Sequence, residues 1–176
     1  MTKKILLTSF TTWRSHQKSN SSDDLLSEVA KSVQANSAAT SQSLTFLRQL
    51  PVDIHLASSY AIEQIDRLNP DFIICCGMAE KRPILTLESN ASLNNHLIET
   101  WVNVDKLTAG LKETNISHDA GKFVCEGLYY STLKYLRDRN LRSSCVFVHV
   151  PIINPTNSDT IKTNFLEIVH RLSDAS

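Results

Sequence analysis

Three residues of this chain have side chains that could work as one chemical unit: Cys125, His149 and Glu88. Cys125 stands between a small-residue turn and a helical pattern, in the stretch Asp119-Ala-Gly-Lys-Phe-Val-Cys-Glu-Gly-Leu-Tyr-Tyr130. A cysteine in the first turn of a helix faces unpaired backbone N–H groups and the positive end of the helix dipole. Both favour thiolate over thiol, the usual route to a nucleophilic cysteine. Alone, such a residue reads more readily as a small apolar side chain packed on a helix. His149 ends the run Val146-Phe-Val, directly before Val150-Pro151. Residues at the carboxyl ends of strands in an open α/β sheet line the crevice where ligands bind. Alone, it reads as a strand-end imidazole bonded to a nearby carbonyl. Glu88 closes a mostly apolar run, where a carboxylate needs a partner or solvent; alone, it reads as a rim-exposed side chain. Thiol, imidazole base and orienting carboxylate are together the parts of a cysteine hydrolase.

The elements that must position these residues follow from the apolar pattern. Lys4-Ile-Leu-Leu-Thr8 reads as a buried first strand, followed by a polar loop with Phe10 and Trp13. Ser22, Asp23 and Asp24 start a helix whose buried face is Leu25, Leu26, Val29, Ala30 and Val33. The Ser-, Ala-, Thr- and Asn-rich stretch 34–43 reads as a connection, and 44–50 as a strand stopped by Pro51. Ile54, Ala57, Ala61, Ile65 and Leu68 mark a helix ended by Asn69-Pro70. Asp71-Phe-Ile-Ile-Cys-Cys-Gly77 has the continuous apolar character of a central strand. Residues 84–87 suggest a further strand leading into Glu88, and 115–117 a short one. Residues 90–111 give no clear pattern. Val124, Leu128, Tyr129, Leu133 and Leu136 form the buried face of the Cys125 helix. Residues 145–150 are the last strand, and Ile161, Phe165, Ile168, Val169 and Leu172 the last helix. This alternation predicts a single-domain three-layer α/β/α sandwich over 1–176, with a mostly parallel (mixed) open sheet and helices on both faces.

Composition narrows the function class. With 176 residues, 41% hydrophobic and 20% charged, the chain suits one soluble globular domain. Lys plus Arg equals Asp plus Glu at 18 each, and the basic residues are scattered. That balance excludes charge-driven capture of nucleic acid or of an acidic membrane. Cys75, Cys76 and Cys145 sit in apolar runs and read as core filler in a reducing compartment. No cysteine pair has zinc-site spacing, so no metal or cofactor is expected. The apolar run after Lys3-Lys4 ends at Thr8, too short for a signal peptide, so a cytoplasmic protein is expected.

Several segments carry a family resemblance. Lys4-Ile-Leu-Leu-Thr-Ser-Phe10, Asn69-Pro-Asp-Phe-Ile-Ile-Cys-Cys-Gly77, Ala120-Gly-Lys-Phe-Val-Cys125 and Val146-Phe-Val-His-Val-Pro151 are similar to stretches of the pyroglutamyl peptidases, also called pyrrolidone carboxyl peptidases. The last two are the more specific. The glutamate that follows the glycine-ended strand falls at Glu88. The resemblance implies a cysteine exopeptidase that removes an N-terminal pyroglutamyl residue from small peptides. Cys125 would be the nucleophile, His149 the base and then the acid, and Glu88 the residue that orients the imidazole. It also implies an apolar substrate pocket, with Phe10, Trp13, Phe123 and Val124 as its wall.

The chain departs from that pattern in three places. Its first loop reads Ser9-Phe-Thr-Thr-Trp-Arg-Ser15, without the glycines and proline usual there. Glu126 replaces the usual asparagine after the nucleophile, where its carboxylate either opposes thiolate formation at Cys125 or, at a helix start, points to solvent. The segment 90–101 is short and lacks the arginine that usually follows the catalytic glutamate, which also removes support for the family's homo-oligomeric assembly. Two other readings stand beside the peptidase: a cysteine hydrolase of another small amide or acyl substrate, and a non-catalytic α/β binding module. His118 is a rival base close to Cys125 in sequence, ranked below His149.

Overall fold

The apolar runs Ile5–Leu7, Ile73–Cys76 and Val146–Val148 are wholly buried, which requires cover on both sides of the sheet they form. The computed structural model describes residues 2–35 and 42–174. In chain order its elements are β1 (Lys3–Phe10), α1 (Ser21–Ala35), β2 (Gln42–Leu50), α2 (Ile54–Leu68), β3 (Phe72–Met78), β4 (Leu85–Glu88), β5 (Asn90–Leu93), β6 (His96–Glu99), α3 (Val104–Thr108), β7 (Thr114–Ser117), α4 (Val124–Asp138), β8 (Ser144–Val150) and α5 (Ser158–Asp174). Of the expected connection over 34–43, residues 36–41 lie outside the described residues; the flanking residues extend α1 and β2.

Six strands form one sheet in the order β2-β1-β3-β8-β4-β7. All neighbours are parallel except β4 and β8, which run antiparallel. The mixed α/β sheet with helices on both faces is therefore as the sequence predicts. Alternate side chains of one strand feed opposite cores. Ile74 and Cys76 pack with α1 and α5 residues such as Leu26, Val29, Phe165 and Ile168. Ile73 and Cys75 pack on the other face with Ala57, Ala61, Leu128 and Leu133 of α2 and α4.

Local chemistry sets the element ends. The Asp53 side chain accepts the Leu56 N–H and caps the start of α2. Asn69 takes the left-handed conformation (φ 44°) at its end, with its N–H on the Ile65 carbonyl. The unpatterned middle holds a hairpin of β5 and β6, in which Asn94 and Asn95 both have positive φ (51° and 64°). Two consecutive left-handed residues make the type I′ geometry that joins tightly paired strands. The short helix α3 follows. The hairpin packs on α4 through Ala91 and Ile98, which belong to the same core as Leu128.

Candidate active site

Strand register brings the chemistry-bearing residues to one face of the sheet. Gly77 of β3 pairs with His149 of β8, and Cys75 pairs with Phe147. On the other side of β8, Glu88 pairs with Phe147 and Thr86 with His149. Paired residues point the same way, and so do residues two apart. Gly77, Phe147, His149 and Glu88 therefore share the face covered by α4, the helix that carries Cys125.

Gly77 makes room for the sulfur. A Cβ at that position would lie 2.5 Å from Cys125 Sγ and 2.8 Å from Phe147 Cζ. The nucleophile candidate thus rests on the backbone of the residue registered with His149. Upstream, Gly121 has φ +97° and its N–H is held by the Asp119 carboxylate at 2.9 Å, forming the turn that delivers the chain to α4. That positive φ suits glycine.

His149 is buried, and its Nδ1 lies 2.7 Å from Glu88 Oε1. The other ring nitrogen, Nε2, is left for the cavity that His149 and Cys125 both line. Glu88 has no exposed surface, so the rim reading of this residue is set aside. The Phe147 ring packs against the imidazole with centroids 4.8 Å apart, and Tyr129 packs on Phe147 at 5.7 Å. The Tyr129 hydroxyl donates to the Glu88 carbonyl at 3.0 Å, tying α4 to the carboxylate's own strand.

The cavity measures about 220 Å³, below the roughly 300–1,000 Å³ of pockets for drug-sized ligands. Phe10, Trp13, Phe123 and Val124 all line it. Phe10 and Val124 are buried, whereas Phe123 is exposed and meets Trp13 at 6.0 Å between ring centroids, so these two aromatics roof the opening. The loop bearing Trp13 is anchored at Glu80, whose carboxylate takes a 2.7 Å hydrogen bond from Gln17 Nε2 and lies 3.5 Å from Arg14 and 3.4 Å from His16.

Two expectations change, and the lower rank given to His118 holds. The helix start does not leave Cys125 ionised: burial pushes its thiol up to about 12, with the Glu88 charge adding to the rise and Arg82 and the residue's own N–H opposing it. Glu126 does not face solvent; it is buried, and its Oε1 accepts from the Ser92 N–H (3.0 Å) and hydroxyl (2.9 Å), bracing the hairpin. His118 pairs its Nδ1 with Ser89 Oγ at 2.6 Å and is not part of the cavity wall.

Arg82 is the residue that sequence reasoning missed. It lines the cavity, its Nη1 lies 2.5 Å from Glu88 Oε1, and its Nη2 donates to the Asp119 carbonyl at 2.9 Å. Its only signal was a charged side chain six residues before a carboxylate that needed a partner.

An α/β sheet that brings a cysteine at a helix start and a histidine held by a buried carboxylate to the wall of one cavity has the arrangement of Cys-His-acid hydrolase scaffolds. Comparison with known proteins narrows that class. The chain is 28% identical over 152 residues to the pyrrolidone-carboxylate peptidase of Bacillus cereus (strain Q1), covering 72% of this chain and 70% of that protein. It is 27% identical over the same length to the pyrrolidone-carboxylate peptidase of Bacillus anthracis (strain CDC 684 / NRRL 3495), with the same coverage. The pyroglutamyl peptidase I structure from Bacillus amyloliquefaciens superposes with a TM-score of 0.83 at 22% identity, covering 100% of this chain and 97% of that one. The pyrrolidone carboxyl peptidase of Fervidobacterium islandicum gives 0.83 at 18% identity, covering 98% and 99%. No family profile matches. The chain is thus a sequence relative of pyrrolidone-carboxylate peptidases, and it has the pyroglutamyl peptidase fold along its whole length.

Proposed function

We propose that this chain, as one domain over 1–176, is a cysteine exopeptidase that removes N-terminal pyroglutamate from small peptides. The observation that carries the reading is a single small cavity holding the Cys125 thiol and the His149 imidazole, with His149 fixed from behind by buried Glu88. The curated relatives give the reading its substrate. A neutral lactam ring has no charge to pair, which suits a wall built of Phe10, Trp13, Phe123 and Val124.

The steps follow from the geometry. His149 Nε2 takes the Cys125 proton as the sulfur attacks the pyroglutamyl carbonyl carbon, and the carbonyl oxygen becomes an oxyanion. The backbone N–H of Cys125, at the open end of α4, is a donor for that oxygen. His149 then protonates the leaving amine as the C–N bond breaks, leaving a thioester on Cys125. Water, deprotonated by His149, attacks the thioester; pyroglutamate leaves and the thiol is restored. Because the free thiol's pKa is about 12, proton removal belongs to the attack step and needs the base.

The test is a pyroglutamyl fluorogenic amide beside its prolyl analogue, which lacks the lactam carbonyl. The proposal expects cleavage of the first alone, lost in Cys125→Ala. Equal cleavage of both would contradict the substrate, and activity in Cys125→Ala would contradict the nucleophile.

A further inference from the structure

We propose that Arg82 is a positioning residue of this site, aiming His149 through Glu88 and at the same time holding the turn that delivers Cys125. The inference rests on the cysteine-peptidase reading above. Glu88 Oε1 accepts from two donors, His149 Nδ1 at 2.7 Å and Arg82 Nη1 at 2.5 Å. Its other oxygen has no partner among the described residues. A fully buried carboxylate whose only partner is an imidazole is uncompensated whenever that imidazole is neutral. A guanidinium is always charged, so Arg82 supplies the counter-charge in every protonation state of His149. The proton can then cycle between Cys125 and His149 while the carboxylate stays an acceptor.

The far side of the same guanidinium reaches the nucleophile's approach. Nη2 donates to the Asp119 carbonyl at 2.9 Å and lies 3.4 Å from Ser117 Oγ. The Asp119 carboxylate holds the Gly121 N–H, and α4 begins three residues later. One planar fork therefore sets the spacing between the group that orients the base and the turn that orients the sulfur. Both terminal nitrogens are engaged by protein groups, which favours positioning over substrate capture. A lysine would keep the charge without the fork.

The test uses the full chain with Arg82→Ala and Arg82→Lys, reading kcat and KM on the pyroglutamyl amide and the rate of Cys125 alkylation by iodoacetamide. The expected result is a kcat lowered about 100-fold with KM changed less than about threefold, as for a misplaced reacting pair. Alkylation of Arg82→Ala should slow at least about tenfold, since losing the guanidinium that offsets the Glu88 charge beside Cys125 lowers the fraction of reactive thiolate. Methylguanidinium should restore part of both rates in Arg82→Ala. Arg82→Lys, expected to fold, should keep KM and lose at least about tenfold in kcat. Wild-type kcat in Arg82→Lys, or a raised KM with unchanged kcat in either variant, would overturn the proposal. Unchanged alkylation in a folded Arg82→Ala would also overturn it. The alkylation arm needs no peptide substrate, so a failed substrate assignment and a failed role for Arg82 give different results.

Discussion

Cys125 begins its helix among unpaired N–H groups that favour the thiolate, yet burial holds the thiol near 12, and the buried Glu88 charge works in the same direction. Near neutral pH the resting protein therefore carries a thiol. Alkylation of Cys125 without substrate should rise about tenfold per pH unit from about pH 7 to about pH 10, because only the thiolate reacts and its fraction grows in that proportion. A rate flat between about pH 6 and about pH 8, read by mass spectrometry of the labelled peptide, would show a preformed thiolate instead. With the thiol protonated at rest, the base matters more. His149→Ala should lower kcat/KM on the pyroglutamyl amide by about 10²–10⁴-fold, the usual range for a positioned acid–base. A loss under about tenfold would remove His149 from that role. These residues were legible in the sequence by type and neighbours: a cysteine after a glycine turn, a histidine at a strand end, a glutamate closing an apolar run. Arg82 was not, because it lies in a polar loop and its direction is set only when β4 and β7 pair and bring Glu88 and Asp119 to the same side.

At the scale of elements, the site depends on a residue with no side chain, Gly77, one position before the end of β3. Gly77→Ala would place a Cβ 2.5 Å from Cys125 Sγ and 2.8 Å from Phe147 Cζ, so the sulfur or the ring that backs the imidazole must move. The expected outcome is a stability loss of about 1–3 kcal/mol by urea unfolding, as for overpacked cores. A fall in kcat of at least about tenfold should accompany it. Full activity in this variant would show that the sulfur can work from another position. Strands β1, β3 and β8 were readable because strands covered on both faces need unbroken apolar runs. The β5–β6 hairpin was not, since its strands are four residues each and its turn is Asn94-Asn95 without the glycine that usually announces a type I′ turn. That hairpin is also where Glu126 goes: the residue that replaces the expected asparagine braces Ser92, away from the sulfur.

For the whole molecule, two apolar cores share one sheet. Ile168 of α5 belongs to the first and Ile73 of β3 to the second, and both are fully buried. Ile73→Val and Ile168→Val should each cost about 0.5–1.5 kcal/mol. Lying on opposite faces, they should add in the double variant to within about 0.5 kcal/mol. Urea unfolding followed by tryptophan fluorescence and by far-ultraviolet circular dichroism should give one coincident transition for a single domain. Separate transitions would mean that the chain unfolds as more than one unit, and a coupling well above that limit would mean that the two cores are not independent across the sheet. The α/β architecture was legible from the alternation of elements, while the antiparallel placement of β4 beside β8 was not, because no apolar pattern records strand direction. That reversal is what sets Glu88 diagonally beside His149.

The central claim is that Cys125 carries the pyroglutamyl group during turnover, and acid-quenched mass spectrometry tests it most directly. The protein would be mixed with an activated pyroglutamyl ester, quenched in acid within the first turnover, digested and sequenced. The account predicts a mass gain of one pyroglutamyl residue on the peptide containing Cys125, hydroxylamine-sensitive as a thioester should be, and absent from Cys125→Ala. Turnover of the ester with the label on another residue, or with no label on Cys125 in protein quenched within the first turnover, would contradict it.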